Sequence, residues 1–424
     1  MRLKIMMMMA FVAILPGFGY AQSVESPRIS LEQAIEKGLQ NSPIMSFAKG
    51  RAGAAKGVLE QSKAYPNPQA MFETENVGGT DQFGGFDSAE TTFGIAQTIE
   101  IGGKRSARSS AARQGYTASQ LELSATQQDL IRNIKLAYFQ TVSAAEKLKL
   151  TEEQVYLANE VLDAVAKRVE AAREPEFQRS KAQVSFSTSL LQRDRAKREY
   201  ETTKQQLSSL WGDTSTNFKV IPDAFFVLKT PKNEGGYEVQ LQNTPDALMW
   251  EALTKKAQSE VDFERARAIP DPNFSLSVRD FREEDAQAFV FGVSLPIPVL
   301  NTNRGNIMKA RQELVQVESN QRLFEIQQRQ TLFDALNSWR VAYGEASTLR
   351  DEILPQAQQA FDLTREGYDL GKFTYLEVLD AQRTLFDVRD QYRQALMQIH
   401  TENLTVDRLT ATNDHTERKN NYAD

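Results

Sequence analysis

The stretch GYDLGKFTYLEVLDAQRTL, residues 367–385, decides how this chain is read. Gly367 and Gly371 interrupt a long helical pattern, and a helix restarts at once. On that helix Glu377 and Asp380 stand three positions apart and share a face. Carboxylates behind a hairpin tip suit an acid–base pair, a cation-attracting ring at a gate, or a helix start favoured by the helix dipole. The surrounding chain has to choose among them.

C-terminal to the tip, Val378, Leu385, Tyr392, Ile399 and Val406 recur every seven residues, with Ala381, Val388, Ala395 and Leu409 in the complementary positions. That is coiled-coil packing, and it predicts that His400, one step past Ile399, points away from the packed stripe. N-terminal to the tip lie two offset apolar stripes, Leu314/Val317/Phe324 and Leu323/Ile326/Phe333/Leu336. Two stripes suit a helix flanked on both sides, as in a wall of helices closed into a tube, although a simple antiparallel bundle satisfies them too. Helical pattern runs over 104–168 and 304–366, broken strongly only at Pro355, which predicts a kink or a stop there. Sixty-odd helical residues span roughly 90–100 Å, too long for one compact domain.

The chain repeats itself. Asn41-Ser42-Pro43 is echoed by Asn243-Thr244-Pro245, Pro66-Asn67-Pro68 by Pro270-Asp271-Pro272, and Phe93-Gly94-Ile95 by Phe291-Gly292-Val293. Leu136-Ala137-Tyr138-Phe139 pairs with Leu336-Asn337-Ser338-Trp339, and Lys181-Ala182-Gln183 with Asp380-Ala381-Gln382, all in order and about 200 residues apart. Two tandem halves follow, 22–212 and 236–412, joined by a polar linker over 213–235 that holds Pro222, Pro231 and Gly235. In each half a helix precedes two strands and then two long helices: strands about 68–77 and 90–101 with helices about 104–168 and 176–211, then strands about 272–281 and 286–297 with helices about 304–366 and 373–411.

The strands alternate at period two. Phe274, Leu276 and Val278 alternate with Ser275, Ser277 and Arg279, and Phe289, Phe291, Val293, Leu295 and Ile297 keep the same period. Phe93, Ile95, Ile99 and Ile101 share a face in the first half, where Phe72 alternates with Glu73 and Glu75. Such runs match the 9–11 residues of a tilted membrane strand, and they match soluble hairpins equally.

Composition narrows the chemistry. The chain has 424 residues, a formal net charge of -6, no Cys and only two His, His400 and His415. Disulfides, thiolate ligands and His-rich metal centres are excluded or disfavoured, no cofactor is called for, and the acidic balance gives no reason to expect nucleic acid. Residues 1–21 read as a secretory leader: Arg2 and Lys4, an apolar Ile5 to Leu15, a Pro16-Gly17 break, and small residues before a cut after Ala21. Without Cys the exported N-terminus carries no thioether-linked lipid. No later apolar run is long enough for a transmembrane helix, so any membrane contact falls to β-strands. Four strands cannot close a membrane barrel, and an open sheet in lipid leaves edge groups unsatisfied; membrane strands therefore demand an oligomer. Residues 413–424, with His415, read as a disordered tail.

With the duplicated halves, the Pro-Asn-Pro and Pro-Asp-Pro strand starts, and Gly367-Tyr368-Asp369-Leu370-Gly371 followed by Glu377-Val378-Leu379-Asp380-Ala381-Gln382, the chain resembles the TolC family of outer-membrane efflux channels. Its compact length and lack of Cys look more like the unlipidated CzcC-type heavy-metal branch. The resemblance implies a mainly α protein with a membrane β-barrel portion: a homotrimer with a 12-stranded barrel in outer-membrane lipid, continuous with a periplasmic helical tube. It also implies two partners, a periplasmic adaptor and an inner-membrane pump.

The resemblance further implies roles at the tips. Tyr368 is expected to latch the tip with Glu176 as its acidic partner, and Glu377 and Asp380 to ring the periplasmic entrance. Arg173, Pro175, Leu370 and Gly371 are expected to dock the adaptor. Where the family pattern has an Arg this chain has Phe373, which leaves Lys372 as the neighbouring cation. The first tip has Arg173-Glu174-Pro175-Glu176 in place of a glycine, and Arg168 to Gln183 is two residues shorter than Arg365 to Gln382, so the tips are expected to differ. A passive exit duct, for heavy-metal cations or alternatively for drugs or type I protein secretion, competes with a periplasmic coiled-coil scaffold and with an enzyme using Glu377 and Asp380 as acid and base.

Overall fold

The structure, a computed structural model, describes residues 27–231 and 235–412; the leader and the tail lie outside these residues. The chain runs β1 (Arg28–Ile29), α1 (Leu31–Asn41), α2 (Pro43–Ser62), β2 (Gln69–Glu75), β3 (Glu90–Thr98), α3 (Lys104–Glu170), α4 (Glu176–Ser209) and β4 (Lys219–Val220). It continues through α5 (Gly235–Leu241), α6 (Pro245–Arg267), β5 (Asn273–Phe281), β6 (Ala286–Ser294), α7 (Arg304–Thr348), α8 (Leu354–Asp369) and α9 (Tyr375–Thr410). Among the described residues no helix is long and apolar enough to cross a membrane.

β2, β3, β5 and β6 form one antiparallel sheet in that order, which leaves β2 and β6 as open edges. Phe93 pairs with Phe72 and Val278, and Ile95 with Leu276, which in turn opposes Phe291. These residues share one face, and it is bare: Phe93 is 61% and Phe291 68% exposed. The other face is concave and holds small residues. Thr92, Ala96 and Ser277 are buried there with no helix covering the sheet, and a Cβ on Gly94 would stand 2.4 Å from that of Ser277. The alternation predicted strand to residues 101 and 297, but the ladder stops at Thr98 and Ser294. Gly102 and Gly103, at φ 70° and 78°, then turn the chain into α3, and Pro296 and Pro298 withdraw donors after β6.

The helices form a long layer. α3 packs on α4, α6 and α9, and α7 packs on α6 and α9. Trp250 of α6 meets Phe324 of α7 at 6.1 Å, while Leu323, Ile326 and Phe333 remain exposed. One α7 stripe, Leu314/Val317/Phe324, is therefore half-buried within the chain, and the second is bare except at Leu336, which is buried in the core against α9. On α4, Phe177, Val184 and Leu191 form another exposed stripe at seven-residue spacing.

Pro355 neither stops the helix nor stands alone as its break. Leu349–Ile353 form one π-helical turn, and Pro355 then sits in the first turn of α8, where its missing N–H has least to satisfy.

Mid-layer, Tyr138 ties both halves of the chain's middle to α3. Its hydroxyl stands 3.0 Å from the Ile29 carbonyl oxygen and also accepts from the Ile221 N–H at 3.0 Å, holding the parallel β1–β4 pair. Burial pushes its pKa up to about 12. In the second half Trp339 does the analogous work, donating its indole N–H to Lys229 O at 3.0 Å.

His400 does not point away from packing. It is 3% exposed, stacks on Phe139 at 3.9 Å, and places Nε2 2.8 Å from Phe225 O. The ladder buries one face of α9, and residues Asp223–Phe226 of the linker fold over the other; helical period alone cannot foresee that second cover.

Candidate functional site

The site is the end of the helical layer where the α3–α4 and α8–α9 turns meet. The second turn is a Schellman motif: Lys372 N–H donates to Gly367 O at 2.7 Å and Gly371 N–H to Tyr368 O at 2.9 Å, with Gly371 at φ 76°. The first turn has the same bonds. Arg173 N–H donates to Arg168 O at 2.8 Å and Ala172 N–H to Val169 O at 2.9 Å, with Ala172 at φ 52° doing what a glycine usually does.

The two tips are thus built alike, against the expectation of a shortened first tip. Arg168 corresponds to Gly367 rather than to Arg365, Val169 to Tyr368, Glu174 to Phe373 and Pro175 to Thr374. What differs is side-chain chemistry at matched places. In the first tip Arg168 faces Glu174, N–O 3.5 Å. In the second, the Phe373 ring lies on Gly367, where an added Cβ would come within 2.2 Å of the ring's Cδ2.

The turns are joined by Tyr368, which is 4% exposed within a small core of Val165, Ala182, Tyr375 and Val378. The Arg168 guanidinium lies over its ring at 3.9 Å from the centroid and donates to the Tyr368 carbonyl. The Tyr368 hydroxyl donates to Glu174 Oε1 at 3.4 Å. Burial first, and then the Glu174 charge, push the Tyr368 pKa up to about 12, so the phenol stays protonated and can donate. Two ion pairs continue the seam between α3 and the second hairpin, Glu160 with Arg365 at 3.0 Å and Glu153 with Arg389 at 2.9 Å. Their exposed setting makes each worth only about 0–1 kcal/mol.

Within the chain the acidic partner of Tyr368 is Glu174, not Glu176. Glu176 sits in the first turn of α4, its side chain 70% exposed, with Arg179 at 4.0 Å. The cation is Arg168 of the first hairpin, not Lys372, which is exposed on the second turn. Setting Ala172 against Gly371 in the sequence would have exposed this pair; seeking a glycine in the first tip hid it.

Glu377 closes a capping box. Its Oε2 accepts from the Thr374 N–H at 2.6 Å and from the Thr374 hydroxyl at 2.8 Å, and these bonds hold its carboxyl below the usual range. Asp380 is exposed one turn further along. Glu377 and Asp380 share the face predicted, yet they are not equivalent: one carboxylate builds the helix start and the other is presented to solvent. Arg173, Pro175, Leu370 and Gly371 are all exposed at the extremity, Leu370 at 64%. Among the described residues no group of three or more His, Asp or Glu is placed to hold a metal ion.

The architecture has known counterparts. A family model described as outer membrane efflux protein matches residues 34–213 and 237–412, one segment per half. The chain is 28% identical over 420 residues to the cobalt-zinc-cadmium resistance protein CzcC of Cupriavidus metallidurans, covering 96% of this chain and 99% of that protein. It is 26% identical to the nickel-cobalt-cadmium resistance protein NccC of Alcaligenes xylosoxydans xylosoxydans, covering 72% and 69%. Among solved structures the fold is similar to that of CusC, with a TM-score of 0.77 at 19% identity over 90% of this chain and 92% of that one.

Proposed function

The chain belongs to the outer membrane efflux protein family, whose members are TolC-type outer-membrane channels, and from that premise we propose that three copies form the exit duct of a tripartite pump for heavy-metal cations. The observation that carries the proposal is the open sheet. Its two free edges, β2 and β6, and its bare apolar face are untenable in a lone chain, since each unpaired edge group in lipid costs several kcal/mol. Three sheets joined edge to edge make a 12-stranded barrel with the Phe93–Phe291 face toward lipid and the concave face toward the lumen.

The helical layer calls for the same closure. Phe177, Val184 and Leu191 on α4, near the tip, and Leu323, Ile326 and Phe333 on α7, nearer the sheet, are each bare in a lone chain and call for cover from neighbouring copies. The helices then extend into the periplasm as a tube, and Tyr368, Arg168 and Glu174 hold its tip closed. Asp380 presents three carboxylates to the entrance, which attract cations. The exposed Arg173, Pro175, Leu370 and Gly371 are the surface for a periplasmic adaptor, which links the duct to an inner-membrane pump. Cation cargo is favoured by the resistance proteins the chain is similar to and by this acidic entrance.

Deleting the gene and challenging cells with cobalt, zinc and cadmium tests the cargo, with plasmid-borne wild type restoring growth. Unchanged tolerance to all three metals would remove metal cations from the proposal. Purified protein that crosslinks only to dimers and never conducts in planar bilayers would remove the trimeric duct itself.

A further inference from the structure

The strand register puts one guanidinium among three carboxylates on the concave face of the sheet. Glu73 of β2, Thr92 of β3 and Arg279 of β5 lie in one row across the strands, and Glu75, Glu90 and Phe281 in the next. Arg279 reaches across to three of its neighbours: Nε donates to the Thr92 hydroxyl at 3.0 Å, Nη1 to Glu90 at 3.1 Å, and Nη2 stands 3.3 Å from Glu75. Asn76 donates to the second Glu90 oxygen at 3.1 Å. Further along, the two central strands carry small groups on this face, Gly94, Ala96, Ser275 and Ser277, flanked by Met71 on β2 and Val290 and Gly292 on β6. Glu75 and Glu90 also lie at the loop end of their strands, opposite the end where α3 and α7 begin.

We propose that Arg279 is a built-in counter-ion that occupies the Glu75–Glu90 carboxylate pair, so that this pair does not capture divalent cargo leaving the barrel. This rests on the duct reading, which makes the concave face a lumen and its loop end the outer mouth. A passage for divalent cations needs negative potential to draw them in and weak binding to let them go. Two carboxylates on adjacent strands bridged by one guanidinium keep the local charge acidic while leaving few carboxylate lone pairs for a metal. Glu73 on the neighbouring row keeps the mouth net negative. Arg suits the task better than Lys would, because its planar fork engages Thr92, Glu90 and Glu75 at once.

The test is equilibrium dialysis of the detergent-purified, full-length protein against Zn²⁺ alone, comparing wild type with Arg279→Gln, Arg279→Lys and Glu75→Gln/Arg279→Gln. Arg279→Gln is expected to bind about one further Zn²⁺ per chain, tighter by roughly tenfold or more than any binding wild type shows at that level of occupancy. Arg279→Lys is expected to stay close to wild type, and the double variant to lose the added site. Arg279→Met, which keeps the aliphatic stem, replaces Arg279→Gln if that variant does not assemble. Equal zinc binding by wild type and the Arg279 variant, or added binding that survives Glu75→Gln, overturns the inference. A wild type that never conducts in bilayers instead overturns the duct reading, whatever the dialysis shows.

Discussion

The guanidinium of Arg168 lies 3.9 Å from the ring centroid of Tyr368, joining the last turn of one hairpin to the last turn of the other. Both residues sit beside the chain reversals, so the contact locks two helix ends that the coiled-coil seam alone would leave to fray. The Tyr368 hydroxyl on Glu174 and the Glu174 carboxylate beside Arg168 close the set into a triangle.

Removing Arg168 should loosen the tip. A partly buried cation–π contact with its hydrogen bonds is worth about 1–3 kcal/mol, so Arg168→Ala should raise the open-tip population roughly 5- to 150-fold. Single-channel conductance and sensitivity to a bulky hydrophilic antibiotic both report this opening. Lys372→Ala should leave both unchanged; the opposite ranking would return the latch to the second hairpin.

Gly367 leaves no room for a side chain. An alanine Cβ would overlap the Phe373 ring at 2.2 Å, so Gly367→Ala should destabilise the second turn by roughly 1–3 kcal/mol. Phe373→Ala should recover most of that loss in the double variant, because the two positions are in direct contact. Hydrogen exchange of the tip amides measures the coupling, and simple additivity would contradict the packing.

Glu377 and Asp380 should separate on mutation. Glu377→Ala removes a capping box and should weaken the start of α9, read as faster hydrogen exchange of its first-turn amides, whereas Glu377→Gln keeps the acceptor and should be milder. Asp380→Asn should leave helix stability alone and lower cation preference in reversal-potential measurements. Equal effects of Glu377→Gln and Asp380→Asn on selectivity would mean that the capping carboxylate also faces the pore.

His400 gives the middle of the molecule an acid limit. Burial lowers its pKa in the folded protein, while an unfolded imidazole titrates near about 6.5. The neutral ring is the one that folds, so its contribution is whole above about pH 6.5 and is lost as pH falls through the lower folded value. Thermal unfolding between about pH 8 and 5 should show this decline in wild type and a flatter profile in His400→Gln. Parallel profiles would show that His400 is not the group responsible.

Much of this was legible in the sequence because it is periodic. Period two over about 272–281 and 286–297 gave strands with one apolar face, the second ending three residues early at Ser294, and the seven-residue ladder from Val378 to Val406 gave a packed helix. Period is a local property, fixed by backbone geometry, and survives without knowledge of the partner. Glu377 and Asp380 were likewise placed on one face by spacing alone.

The tertiary structure decided what each face meets. Spacing could not tell that Asp223–Phe226 would fold over His400, that Glu377 would turn back to Thr374 while Asp380 stayed free in solvent, or that Pro355 would follow a π-helical turn. Nor could it find the Arg168–Tyr368 contact, since the two residues are far apart in the chain and their pairing exists only once both reversals are set side by side. Ala172 shows why: its left-handed backbone is imposed by the turn's hydrogen bonds against its own preference, and that imposition aligns the first tip with the second.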